Sequence, residues 1–300
     1  MFPLLPLALL LVAAPAETPD EAPAITVTGS RLTEAGVAQA ANAYVRAVLP
    51  TPSQGQYARW ADPVCVKISG IDDIYAARVA ARITAAATAA GVKLARSGCR
   101  PNLSVIFTED AATTTRIIIG RKPKQISRLT SDERTRLLTA PLPVRSWHGL
   151  EVRGADGNPA MPGASSALMS ANISGGVPLS SILPSDAAQT DSWSSSLINS
   201  AIAVWTTSAV VIVDVGLSTG KPLDAVADYV AMVSLAPMKM PPPVPGVPSI
   251  LALFTTESTS PALSEWDKAF LASLYRIQMN RSGQRQVSQI VSGLKANITR

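Results

Sequence analysis

The sequence predicts an α+β domain in which a mixed sheet packs with helices, and three observations carry that prediction. SGIDDIYAARVAARITAAATAAGV (69–92) spaces apolar residues by three and four between an acidic start and a glycine, as an amphipathic helix does. NLSVIFTED (102–110) alternates apolar and polar residues, as a half-buried strand does. AVVIVDV (209–215) is a β-branched run, and DAVADYVAMVSLA (224–236) follows it as an apolar stretch of helical length. At 300 residues, 47% hydrophobic and 16% charged, the chain is long enough for an ample core and too apolar for disorder.

The first apolar run is set apart from the rest. FPLLPLALLLVAAPA carries no charge, ends in Ala14-Pro15-Ala16 and is followed by Glu17 and Asp20. It reads as a signal peptide, residues 1–16, cut after Ala16 and too short to span a bilayer. Residues 17–24 read as a flexible N-terminus rich in Pro, Glu and Ala. From there a single domain is expected over 25–300. ITVTGSR (25–31) is predicted as a short edge strand, and Leu32 to Leu49 as a helix. In the helix over 69–92, Ser69 or Asp72 supplies the cap and Gly91 the end. Its buried stripe is predicted to be Ile71, Ile74, Tyr75, Val79 and Ile83, with Arg78 and Arg82 on a solvated face.

After the 102–110 strand, helical stretches are expected at 111–119 and 131–139, then VRSWHGLEVRG (144–154). Residues 155–192, rich in Gly, Pro, Ser and Ala, read as a long surface excursion or a pair of edge strands. Ser194 to Val215 is strand-like and 224–236 helical. A proline hinge (241–248), a helix from near Ser264 and a basic amphipathic tail helix from about 284 complete the chain.

Charge is unevenly placed. Residues 116–153 hold nine Lys and Arg against three acids, and Arg276–Arg300 holds five basic residues and no acid. In an exported protein the available polyanions are envelope components, so nucleic acid is not an expected partner. The two cysteines, Cys65 and Cys99, bracket the 69–92 helix and are predicted to form a disulfide. The rival reading, metal ligation, needs more partners than His148, the single histidine, supplies.

The C-terminal half resembles the metzincin zinc peptidases, in their matrixin-like form. In that family a helix carries H-E-x-x-H-x-x-G-x-x-H, a methionine turn often reading PSIM follows, and a helix opens with Leu-Ser-x-x-Asp and ends in Leu-Tyr. Here Ala227-Asp228-Tyr229-Val230-Ala231-Met232-Val233-Ser234-Leu235 stands in the first place and Pro248-Ser249-Ile250-Leu251 in the second. Leu263-Ser264-Glu265-Trp266-Asp267, then Leu274-Tyr275, stands in the third, and NLSVIFTED resembles a strand of the family's central sheet. The resemblance implies a degenerate metzincin-like domain, because the ligand positions hold Ala227, Ala231 and Pro237 and the base position holds Asp228. No metal and no cofactor are therefore expected. The whole chain also resembles a group of exported alphaproteobacterial proteins, which implies no particular activity.

The expected function is that of an exported, non-catalytic binding protein, periplasmic or secreted, without a transmembrane span once the signal is removed. Its partner is an unspecified protein, peptide or anionic envelope component, met by Trp205, Tyr229, Ala227 and Ala231. The two alanines are expected to face a former cleft. No residue is assigned a catalytic role. Two alternatives stand: an envelope hydrolase of unrelated mechanism using His148 or Asp228, and a structural protein docking its basic tail on an anionic surface. A triad of His148 with a serine and Asp156, Asp186 or Asp214 would need tertiary convergence, since no G-x-S-x-G elbow is present.

Overall fold

A computed structural model of the chain describes residues 34–50, 52–53, 55–157, 172–173, 177–178, 199–239, 247–255 and 260–299. The residues expected to form a signal peptide (1–16), a flexible N-terminus (17–24) and an edge strand (25–31), with most of 155–192 and residues 241–246 of the expected proline hinge, lie outside the described residues. The first half contains α1 (Glu34–Val48), β1 (Arg59–Trp60), β2 (Val66–Ser69), α2 (Asp73–Ala90), β3 (Leu103–Thr108), α3 (Ala111–Arg121) and α4 (Ser131–Thr139). Then come β4 (Val144–Gly154), β5 (Asn172–Ile173), β6 (Val177–Pro178), β7 (Ile202–Asp214), α5 (Leu223–Leu235), α6 (Glu265–Leu274) and α7 (Gly283–Ile298). The fold is α+β, with a mixed, mainly parallel sheet.

β7 organises that sheet. One of its edges pairs antiparallel with β4 along the whole strand. The other pairs parallel with β1 at Trp205–Thr206 and with β3 at Ala209–Asp214, so β1 and β3 lie end to end beside it. β2 extends the sheet from β3, again parallel. Three parallel strands, β2-β3-β7, are thus bordered by one antiparallel strand, β4. Ala203, Trp205, Ala209, Val211 and Val213 of β7 enter the main core with α1, α2, α5, α6 and α7. Val210 and Ile212 face the other way and pack with Trp147 against α3, α4 and the 3-10 turn Pro123–Ile126. A strand covered on both faces needs apolar residues on both, which is why β7 reads as a continuous run.

Helix ends follow their local chemistry. Gly91 closes α2 in the left-handed region at φ 79°, where glycine meets no steric cost. Asp110 caps α3 by accepting from Thr113 N–H at 2.9 Å, a bond that holds its carboxyl below the usual range. Thr130 with Glu133, and Ser264 with Asp267, form reciprocal capping boxes at α4 and α6. α5 opens on Pro222 with no side-chain cap. Gly70 is required by space as well as by its φ of 86°, since a Cβ there would lie 1.9 Å from the Phe107 carbonyl oxygen.

The disulfide is present. Cys65 and Cys99, with Cα atoms 6.1 Å apart, close the β2–α2–β3 unit. No helix among the described residues is long and apolar enough to cross a membrane. Of the two caps expected for α2, Asp72 holds the position, without a side-chain bond, so the helix starts at Asp73. The head of its predicted stripe is corrected: it is solvent-facing, with Ile74 74% and Tyr75 51% exposed. The buried stripe is instead Val79, Ile83, Ala86, Ala87 and Ala90. The first turn projects past the carboxyl ends of the strands, where no described element covers it.

Candidate functional site

α5 is the helix that the resemblance makes central, and every residue from Ala225 to Leu235 is buried. Its one long polar contact is with α2. Arg82 donates from Nε to Asp228 Oδ1 at 2.7 Å and from Nη2 to Oδ2, and Leu263 N–H donates to Asp228 Oδ2 at 2.9 Å. Arg78 grips Asp224 in the same bidentate way at 2.5 and 2.8 Å, but in solvent. Both pairs are separated by 146 positions, so the two helices run parallel and the charges form a ladder. The expected solvated face holds for Arg78, whose side chain is 62% exposed, and is only partly met by Arg82; each neutralises a carboxylate of α5. Asp228, 2% exposed, ties α5 to α2 and to the chain entering α6.

The other end of α5 is closed by side chains. Trp60 Nε1 donates to the Ser234 carbonyl at 3.0 Å, His148 Nε2 lies 3.3 Å from the same oxygen, and Tyr275 Oη donates to the Leu235 carbonyl at 2.6 Å. These satisfy carbonyls that a helix C-terminus leaves without partners. Burial pushes the His148 imidazole down to about 4, partly offset by the bond to Ser234, so the ring is neutral and its Nε2–H is the donor.

A second knot lies one helix away. The Asp267 carboxylate, fully buried, accepts from Tyr44 Oη at 2.8 Å, Ser249 Oγ at 2.6 Å, Ile250 N–H at 2.8 Å and Ser264 N–H at 3.0 Å. It thereby joins α1, the turn at Pro248–Leu251 and the start of α6. Burial and the Asp267 charge raise the Tyr44 phenol well above its usual value and keep it a donor.

The predicted binding residues do not share a cavity. Ala227 and Ala231 are completely buried in the main core, which corrects the expectation that they face a cleft. They carry no donor atom, and Pro237 carries none at the third position, so the side chains present do not fit a zinc ion. Among the described residues no three His, Cys, Asp or Glu side chains gather as ligands for one metal. Tyr229, 5% exposed, stacks edge-on against Phe254 with ring centres 5.1 Å apart, and burial pushes its phenol up to about 12. Trp205, 8% exposed, donates to the Gly154 carbonyl and lies under the Arg59 guanidinium. It borders a cavity of about 490 Å³ with Ile277 and Met279. His148 and Asp228 do not converge: the first caps the C-terminus of α5 and the second is engaged by Arg82. Asp214 is held by Leu217 N–H at 3.0 Å and Ala111 N–H at 3.3 Å. It stands five positions along β7 from Ala209, the partner of His148, about 17 Å away. Asp186 lies outside the described residues.

The cavity that His148 does border is at the sheet edge. It measures about 190 Å³ and is lined by Gln56 and Tyr57, by Leu129, and by Ser146, Trp147 and His148 of β4. Successive strand residues point to opposite faces, so a cavity touching three in a row lies against the strand's edge. That edge is unpaired among the described residues. Asp214 N–H donates to the Pro143 carbonyl at 2.8 Å, which makes Val144–Val213 a non-hydrogen-bonded pair. The main-chain N–H and C=O groups of Val144, Ser146 and His148 therefore point outward. Gln56, 5% exposed, donates to the Ile202 carbonyl, while its Oε1 has no partner. No sequence signal marks Gln56 or Ser146; both become visible only once β4 is known to be an edge. Compared with known protein families, curated proteins and solved structures, the chain matches none.

Proposed function

We propose that this chain is an exported, non-catalytic binding protein that takes an extended peptide segment along the free edge of β4. The observation that carries the reading is the row of outward main-chain groups at Val144, Ser146 and His148, the last two beside a cavity that is also lined by Gln56, whose Oε1 has no partner. An added strand satisfies such a row, and alternate side chains then fill pockets beside it. At about 190 Å³ the cavity is smaller than a typical ligand pocket and suits one side chain of a longer segment. A peptidase-like frame without its metal site is supported by the way the family-like phrases meet. The Leu-Ser-x-x-Asp aspartate, Asp267, bonds the turn at Ser249–Ile250, and the Leu-Tyr tyrosine, Tyr275, caps the helix that stands in the zinc-binding place. Export is supported by the apolar leader and by the disulfide.

Selection from a library of random linear peptides tests the reading. Enriched peptides are expected to bind with micromolar Kd and to lose binding when alternate amides are N-methylated. Ser146→Pro removes one outward N–H at an edge position that tolerates proline, so it should keep the melting temperature and abolish binding. Enriched peptides indifferent to both changes, or no enrichment at all, defeat the proposal.

A further inference from the structure

A third cavity, unrelated to the β4 edge, lies at the carboxyl ends of the parallel strands. It measures about 330 Å³, within the range of small-molecule pockets. Its walls are Ile71, Phe107, Val213, Leu223 and Val226, from just beyond β2, the ends of β3 and β7, and the first turn of α5. In open sheets with parallel strands this is the end where ligands bind. Its rim is apolar and open to water at Tyr75 and Val215, which are 51 and 44% exposed, and Ile74 and Leu217, their near neighbours in sequence, are 74 and 47% exposed. Contiguous exposure of large apolar side chains marks a site of interaction.

Two polar features give the site a direction. Ser218 lines the cavity at 9% exposure, and its Oγ is buried with no hydrogen-bond partner. A hydroxyl so placed carries a desolvation penalty unless something in the cavity bonds it. Lys221 is the only charged side chain among the lining residues, and it stands beside the uncapped N-terminus of α5, a helix of 13 residues. The first-turn amides there favour an anion.

We infer that this cavity binds a small amphiphile, an apolar chain ending in a carboxylate. The chain lies among Phe107, Val213 and Val226, and the carboxylate meets Ser218 Oγ, Lys221 and the opening turn of α5.

Decanoate below its micelle concentration, titrated calorimetrically into the mature protein, tests this. Saturable binding of one molecule per chain is expected, with decyltrimethylammonium binding more weakly. Ser218→Ala should weaken decanoate about tenfold or more, the value of one hydrogen bond to a charged group, without lowering the melting temperature, because the lost hydroxyl has no protein partner. Lys221→Gln should weaken decanoate and should hold or strengthen decyltrimethylammonium, because a like charge is removed. The inference is overturned if no saturable binding occurs, if both variants bind decanoate as the parent does, or if binding appears only with phosphatidylglycerol vesicles. The last outcome would assign the apolar rim to a lipid surface.

Discussion

His148 illustrates how one side chain can look catalytic in sequence and be structural in place. A lone histidine invites a role as base, yet its Nε2 is held against the Ser234 carbonyl at the end of α5. Its folded value of about 4 lies below the unfolded value of about 6.5, because burial disfavours the charged ring. A depressed value means that its contribution to stability is complete above about pH 6.5 and is lost as pH falls toward 4. Glutamine places an amide donor near the same point and does not titrate. Unfolding free energies of the parent and His148→Gln, measured at pH 7.5 and 4.5, should therefore converge by about 2 kcal/mol on acidification. Parallel pH profiles would show that the ring is not desolvated as described. Asp267 makes the complementary point: in sequence it is one acid in a capping phrase, and only the fold brings Tyr44, 223 positions away, onto its carboxylate.

At the scale of elements, α5 was legible as a helix from its length and its place after a β-branched run, but the direction of its faces was not. Periodicity separates faces only where polar residues interrupt the apolar ones, and here Asp224, Asp228 and Ser234 are the interruptions. The two aspartates face Arg78 and Arg82, and the signal that could have found this was present: both pairs are spaced by four, with opposite sign, on two predicted helices. Nothing in the sequence says that Ala227 and Ala231 are enclosed, because alanine suits a filled core and an open groove equally. The enclosure changes what histidines there would do. Two imidazoles at these positions must displace packed side chains and bury polar nitrogens, so the double variant Ala227→His, Ala231→His should lose about 4 kcal/mol or more. It should gain no stoichiometric zinc by elemental analysis. A stable variant that binds zinc would mean that this face opens on a cleft after all.

For the whole molecule, the fold class followed from patterns that single elements display: the alternation of 102–110, the amphipathic spacing of 69–92 and the β-branched run of 209–215. Sheet order did not follow, because strands covered on both faces read alike whether central or flanking. Nor did β4's position at an edge, since its burial alternates irregularly around the register shift at Gly149–Leu150. The disulfide was legible because it needs only two cysteines and a compartment. Its energetic role is read from the topology. Cys65 precedes β2 and Cys99 precedes β3, so the bond closes a separation of 34 positions around α2, which packs along α5 and carries both arginines of the charge ladder. Closing a loop of that length should contribute about 3–4 kcal/mol, chiefly by restricting the unfolded chain. Replacing both cysteines by serine should lower the denaturation midpoint by that free energy and raise the m-value, because the unlinked chain exposes more surface on unfolding. The Arg82–Asp228 pair should survive, since the helix packing that presents it does not pass through the sulfurs. An unchanged midpoint would show that the unfolded β2–α2–β3 segment is already compact without the bond, and the disulfide would then be a mark of compartment rather than a source of stability.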